Sequence, residues 1–173
     1  GFDETGAVRE FDRDGDLTGG DKIQSAFFVN FARLLTKDEI KKQSFTVQVI
    51  TGGVVTNPTG TLTISDYGAL TSYKTNSPAG EYGILYTSSA AAQGSGVGLV
   101  YYQAGIAVLT SSIFDGNLAS YIGPNMANDA TTADNYAGVS ELFVSGSISG
   151  SADAFRNRLY NISFNNTIEI NST

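Results

Sequence analysis

The sequence predicts a mainly β fold: an antiparallel β-sandwich-like domain with a few short helices and an irregular N-terminal arm. Three observations carry that expectation. Gly, Ser, Thr and Asn supply 67 of the 173 residues, and this mixture disfavours long helices, because glycine costs backbone entropy and short polar side chains compete for backbone hydrogen bonds. Short segments of period two recur between Gly, Pro and Asn punctuation, as expected of half-buried strands joined by turns. Charge is also uneven, with residues 1–42 holding sixteen of the twenty-seven charged side chains. The remainder must be kept soluble by hydroxyls and amides or be covered by neighbouring molecules.

Residues 1–21 alternate poorly and are rich in Gly and Asp, which predicts an acidic arm or loop ahead of a β-rich domain at 22–173. Residues 24–35 fit two periods. Ile23, Phe27, Phe31 and Leu34 form a helical stripe, while Phe27, Val29 and Phe31 form one face of a strand; the aromatic and β-branched content favours the strand. Thr36 and Glu39 have capping-box spacing, predicting a helical turn over 37–42. A strand follows at 44–50, ended by Thr51, Gly52 and Gly53. Residues 59–66 and 81–87 alternate and are separated by Asn76, Pro78 and Gly80, and residues 88–96 read as a flexible loop. Gln103, Ala104 and Gly105 form a three-residue hairpin loop between strands at 97–102 and 106–114, with glycine where a left-handed residue belongs. Residues 115–135 read as irregular. Short helices are expected around 139–144 and at 152–159, the second capped by Ser149 or Ser151. The last segment alternates cleanly: Ile162, Phe164, Asn166, Ile168 and Ile170 on one face, and Asn161, Ser163, Asn165, Thr167, Glu169 and Asn171 on the other. The chain starts at Gly1 without Met and stops at Thr173 directly after this strand, so a segment of a longer chain is expected.

Composition excludes several chemistries. The chain has no Cys and no His, which removes disulfides, thiolate nucleophiles, His-ligated metals and the Ser–His and Cys–His engines. A net charge of −7 argues against nucleic acid or anionic lipid as partner. The longest apolar run, Val97 to Val108, is interrupted by Gln103 and Gly105 and is too short to span a membrane. Eight acids beyond residue 42 (Asp66, Glu81, Asp115, Asp129, Asp134, Glu141, Asp153 and Glu169) show no spacing that selects a catalytic pair. Lys74 is the one lysine there for a Ser–Lys dyad, and it lies in a loop-like sequence. GSGVG at 94–98 lacks the later glycine and the strand–helix setting of a phosphate loop. No enzymatic activity and no organic cofactor are expected.

One ion site stands out. Asp12, Asp14 and Asp16, with Asp21 nearby, place hard oxygens at alternate positions around a glycine turn, which suits Ca²⁺. Leu17 stands at the sixth loop position and Ile23 at the twelfth, where a calcium loop has Gly and a bidentate acid, and a solvated acidic turn accounts for the same residues. Tyr82, Tyr86, Tyr101, Tyr102, Tyr121, Tyr136 and Tyr160 could form a sugar- or partner-binding surface or simply line the core margin. Arg156 and Arg158 could pair with Asp153 or the N-terminal acids. Three Asn-X-Ser/Thr sequons, at Asn161, Asn165 and Asn171, fall on the polar face of the last strand, which explains them without glycans.

Three stretches, NFARLLTKDEIKKQSF at 30–45, GVGLVYYQAGIAVL at 96–109 and FRNRLYNISFNNTIEINST at 155–173, resemble a family of large virion structural proteins of contractile-tailed bacteriophages, especially those infecting marine cyanobacteria. They cover 49 residues in the same order as in that family. In the family the final strand continues into an aromatic-rich segment that this chain lacks. The resemblance implies a virion location, most simply in the tail or baseplate, obligate assembly with other virion proteins or copies of itself, and no transferable catalytic residues. The edge strand at 161–171, through Asn161, Ser163, Asn165, Thr167, Glu169 and Asn171, is the expected interface. The alternative expectation is a secreted or surface β-sandwich that holds carbohydrate through Tyr101 and Tyr102.

Overall fold

The computed structural model describes residues 6–8, 10–35, 38–54, 56–89, 92, 95–114, 152 and 155–167. The fold is mainly β and antiparallel, in a sandwich-like arrangement. One sheet has the order β3-β9-β8-β7, formed by Ala26–Asn30, Ile106–Thr110, Gly98–Tyr101 and Tyr82–Leu85. A second has the order β10-β5-β6, formed by Leu159–Ser163, Thr46–Val54 and Asn57–Ser65. Two ribbons complete it: β1 with β2 (Phe11–Asp12 and Lys22–Ile23), and β4 with β11 (Glu39–Ile40 and Asn166–Thr167).

Strands β7, β8 and β9 of the four-stranded sheet are buried on both faces, while the edge strand β3 leaves Phe28 and Asn30 exposed. Along β8, Leu99 and Tyr101 belong to one apolar cluster and Val100, with Tyr102 beyond it, to the other. Along β9, Val108 faces the first cluster and Ala107 and Leu109 the second. The period-two pleat sends alternate side chains to opposite faces, so a strand covered twice reads as a continuous apolar run. Val47, Val49 and Ile64 of the three-stranded sheet meet Phe27, Leu85, Val100 and Leu109 across one interface. Ile23 and Phe11 of the β1–β2 ribbon cover Tyr82, Ile84, Leu99 and Tyr101 on the other. The acidic stretch read from sequence as an arm thus contributes β1 to this cover. The two larger sheets touch at one corner, where Ser65 and Tyr86 exchange backbone hydrogen bonds of 3.0 and 2.9 Å.

Several sequence expectations hold. Ala26–Asn30 is a strand, with Phe27, Val29 and Phe31 against the core. The hairpin between β8 and β9 forms, with a four-residue loop at 102–105 rather than the expected three, and Gly105 takes a φ of 64° with its N–H bonded to the Tyr101 carbonyl at 2.9 Å. Residues 155–158 are helical, as is Ala152. The expected helix at 139–144, the irregular stretch 115–135 and the caps Ser149 and Ser151 lie outside the described residues, as do Tyr121, Tyr136, Ile168, Glu169, Ile170 and Asn171.

Other expectations are corrected. The helical turn over 37–42 is not what forms at its described residues: Glu39–Ile40 is strand β4, paired with Asn166–Thr167. Ile40 is fully buried and its N–H reaches the Tyr102 carbonyl at 3.0 Å, so apolar burial and long-range pairing outweigh the capping-box signal. The helical turn falls earlier, as α1 at Ala32–Leu35, where Asn30 Oδ1 accepts from the Ala32 N–H at 2.8 Å. Gly52 and Gly53 do not end β5 but sit at register shifts within it, the usual place for glycine in a bulged strand. Pro58 is accommodated because β6 is an edge strand. The last segment is two strands rather than one: β10 pairs with β5, then the chain bends at Phe164–Asn165 and β11 pairs with β4. The phase slips at that bend, so Asn166 is exposed and Thr167 half-buried, the reverse of strict alternation. A short helix not expected from sequence, α2 at Ala69–Ser72, follows a left-handed Gly68.

Gly98 shows how closely these layers pack. A Cβ there would collide with the Val108 carbonyl and crowd Leu109, backbone that cannot move aside. Gly20 has nothing within 4 Å of the same position. Replacing Gly98 with Ala is expected to cost about 2–3 kcal/mol, whereas Gly20→Ala should stay within roughly 0.5 kcal/mol. Urea unfolding of the two variants beside the parent chain measures the difference.

Candidate functional site

The acidic turn between β1 and β2 is the densest cluster of chemistry-bearing groups. Asp12, Asp14 and Asp16 each offer a carboxylate oxygen, all within 4.8 Å of one another, so the turn could hold a metal ion. Asp12 ends β1 and is 3 % exposed. Its Oδ2 accepts from the Leu17 N–H at 2.5 Å, while its Oδ1 lies 3.2 Å from Lys22 Nζ. Asp12 and Lys22 are directly opposite in the β1–β2 register, which accounts for the ion pair. Asp14 Oδ1 accepts from the Asp16 N–H at 3.2 Å and Asp16 Oδ1 from the Thr18 N–H at 2.8 Å. The Thr18 N–H holds the exposed Asp16 carboxyl below its ordinary range. Leu17, where a calcium loop has glycine, adopts a φ of 64°, the left-handed conformation that such a loop requires at this point.

Asp21, the fourth predicted ligand, is not brought into the cluster. Its Oδ2 accepts from Ser95 Oγ at 2.5 Å and its carbonyl from the Arg13 N–H at 2.8 Å. Arg13 and Gly96 exchange two bonds, Nε to the Gly96 carbonyl and the Gly96 N–H to the Arg13 carbonyl, both 2.8 Å. These contacts fasten the turn to the sheet. A polar cleft of about 470 Å³ beside it is lined by Asp14, Asp21, Ser72, Lys74, Tyr86 and Ser95. Burial and the Asp14 charge push the Tyr86 phenol upward. An apolar cleft of about 210 Å³ lies on the other side, against Phe11, Leu17, Pro78, Tyr82 and Tyr101.

The predicted interface strip is partly in view. Asn161, Ser163 and Asn165 are exposed, while Ile162 and Phe164 pack against the core. Thr167 is half-buried, and Glu169 and Asn171 lie outside the described residues. Among the described residues β10 is the outermost strand of its sheet. The tyrosine surface is not formed at its main members: Tyr82, Tyr86, Tyr101 and Tyr102 are all buried, so Tyr101 and Tyr102 cannot offer an open platform to a sugar. Tyr160 is 48 % exposed. Arg158 is buried, and burial pulls its pKa down to about 10.

Sequence reasoning missed a second polar constellation, around Asp66. This residue is fully buried and accepts from the Gln43 N–H at 2.7 Å, the Phe45 N–H at 3.0 Å and the Tyr102 hydroxyl at 3.0 Å. Lys42 lies nearby, 2.6 Å from Glu81 Oε2 and 4.6 Å from the centre of the Tyr73 ring. Burial works to lower the Lys42 pKa, but the Glu81 bond and charge prevail and raise it. No spacing signals this group, because the donors to Asp66 are 21 to 36 residues from it in sequence.

The fold and site define an antiparallel β domain carrying an acidic turn and, on an edge strand, a polar strip whose described residues are uncharged. Comparison with protein-family models, curated proteins and solved structures finds no match to this chain. Among the described residues no helix is long and apolar enough to cross a membrane.

Asp12 tests how far the acidic turn belongs to the fold. Asp12→Ala removes the partner of the mostly buried Lys22 and the acceptor of the Leu17 N–H, and should cost about 2–4 kcal/mol. In a double-mutant cycle with Lys22→Ala the two losses are expected to be non-additive, measured by chemical denaturation.

Proposed function

We propose that the chain is an architectural subunit of a bacteriophage virion, in the tail or baseplate, that works by binding other virion proteins or further copies of itself. The observation that carries this reading is the edge strand β10, outermost among the described residues, with uncharged Asn161 and Ser163 exposed on it. Such an edge supplies directional backbone hydrogen bonds to a neighbouring strand, and no charge has to be desolvated when it docks. The three stretches that resemble virion structural proteins support the same reading. So does the scarcity of charge beyond residue 42, which suits a surface covered by neighbours. The absence of His and Cys leaves shape and contact as the means of action.

The acidic turn fits this role as a calcium-binding element that stiffens the β1–β2 cover. Asp12, Asp14 and Asp16 would hold the ion, with Leu17 already in the left-handed conformation. Sites of this kind in extracellular modules bind calcium with Kd of roughly 10⁻⁴ to 10⁻³ M.

Two experiments test these readings. Asn161→Glu combined with Ser163→Glu should leave the melting temperature unchanged, because both side chains are exposed, yet reduce incorporation into assembled particles by at least about tenfold. Equal incorporation, or a cryo-EM map of the particle with residues 159–167 facing only solvent, would exclude the strand-edge role. Millimolar Ca²⁺ should stabilise the chain by about 1–2 kcal/mol, an effect that Asp14→Asn with Asp16→Asn removes; Mg²⁺ at the same concentration should act more weakly.

A further inference from the structure

Asp66 stands where β6 ends and the two larger sheets meet. Its carboxyl is closed in by the turn between β4 and β5 (Gln43, Phe45), by Tyr102 in the β8–β9 turn and by Gly83 of β7, where a Cβ would collide with the Tyr102 hydroxyl. Its backbone is tied as well, the N–H to the Phe45 carbonyl at 3.4 Å and the carbonyl to the Ala69 N–H at 3.1 Å. The ionisable side chain bonded to it is Tyr102, which also feels Glu81, and Lys42 over the Tyr102 ring is in turn surrounded by Glu81, Glu39 and Tyr73. Lys42 is the one cation of this set, and it is committed to Glu81 at 2.6 Å, with its Nζ 5.5 Å from the centre of the Tyr102 ring. Among the described residues, no cation is paired with Asp66.

A fully buried carboxylate without a counter-ion is penalised strongly, and such a group protonates rather than remain charged. Three donors oppose that outcome. Protonation, however, keeps both backbone contacts and reverses the third, so that the Tyr102 hydroxyl no longer donates to Asp66. The Gln43 and Phe45 N–H groups keep one oxygen each, and the new carboxyl proton is given to the Tyr102 oxygen, since a phenol both donates and accepts. Burial accordingly pushes Asp66 above the ordinary aspartate range, against the pull of the Tyr102, Gln43 and Phe45 donors.

The turn that Asp66 holds is also the one that fixes Asn165. Ser44 Oγ accepts from the Asn165 N–H at 2.9 Å, and the Asn165 carbonyl accepts from the Lys41 N–H at 2.7 Å. We propose that Asp66 is a proton-responsive latch: it holds a proton more readily while the 43–45 turn and Tyr102 are closed on it than when the turn opens and frees the bend of the polar strip. This rests on the reading of that strip as an assembly surface, and it adds regulation, since strip geometry then depends on pH. The closed state has the raised pKa. Its extra stability is complete below the ordinary aspartate value and is lost as pH rises through the closed-state value.

NMR on the purified 173-residue chain, with ¹³C-labelled aspartate, tests the latch without any neighbour present, so its failure and failure of the assembly reading are separate results. Asp66 is expected to titrate above the ordinary aspartate value. The Gln43 and Phe45 amides, corrected for intrinsic exchange, should exchange roughly tenfold faster per pH unit between that value and the Asp66 midpoint, then level off, the signature of one coupled proton. Asp66→Asn, where it folds, should show no such rise. An Asp66 midpoint at or below the ordinary value, or amide exchange without the rise in the parent chain, would overturn the latch.

Discussion

The structure depends on one constraint: strands β7, β8 and β9 are apolar on both faces, so both must be kept from water. Neither β8 nor β9 has a solvent side, since Leu99, Tyr101 and Val108 serve one cluster and Val100, Ala107 and Leu109 the other. At about 25 cal/mol per Å² of apolar surface, exposing either face would cost more than a domain of this size has to spare. The three-stranded sheet covers one face and the β1–β2 ribbon the other. The ribbon is short, so it is reinforced by polar means: the Asp12–Lys22 pair, the Arg13–Gly96 exchange and the Asp21–Ser95 bond. The acidic turn is therefore a lid on a core as much as a candidate ion site, and the two roles coincide because a turn drawn tight around its carboxylates also holds the ribbon down.

Two polar seams follow from this arrangement. Where the ribbon meets the sheet, Asp12 is buried against Lys22 and offset by charge. Where the two larger sheets meet, Asp66 is buried against backbone donors and a phenol and offset by hydrogen bonds alone. That difference sets their electrostatic character. The first seam keeps its ion pair on a ribbon edge, while the second, among the described residues, has no positive partner, because Glu81 claims Lys42. Under the proposed latch, a change in pH acts on the second seam through the protonation of Asp66.

Much of the strand pattern could be read from the sequence because it is local. Alternation at Phe27–Phe31, the glycine at position 105 and the burial of Ile162 and Phe164 each depend on residues within a few positions of one another. The errors arise where distant segments decide. Thr36 and Glu39 have helix-start spacing, yet Ile40 sits at 0 % exposure because Asn166–Thr167 arrives from the far end of the chain. The last strand keeps its alternation through Phe164 and then changes partner, which no period can show. The same division applies to the site. Asp12, Asp14 and Asp16 were legible because alternate acids around a glycine are a short-range signal. Asp21 was not separable from them by spacing, and Asp66 was one of eight scattered acids until the fold brought Gln43, Phe45 and Tyr102 onto it.

The edge strand draws these points together. Exposed strand edges invite pairing, and proteins commonly protect them with charge, proline or a covering segment. The described part of β10 carries none of these on its outer residues: Tyr160, Asn161 and Ser163 are exposed and neutral. Its inner residues are firmly held, since β5 pairs along it and Ile162 packs against the core. Among the described residues the result is a firmly held strand with no partner on its outer side, a feature that is costly for a solitary molecule and useful for one that assembles. Just beyond it, the bend at Phe164–Asn165 is fixed by Ser44 and Lys41, on the same turn that encloses Asp66. Geometry at the surface strip is thus set from inside the core, through a chain of hydrogen bonds running from Tyr102 to Asp66, from Asp66 to the 43–45 turn, and from that turn to Asn165.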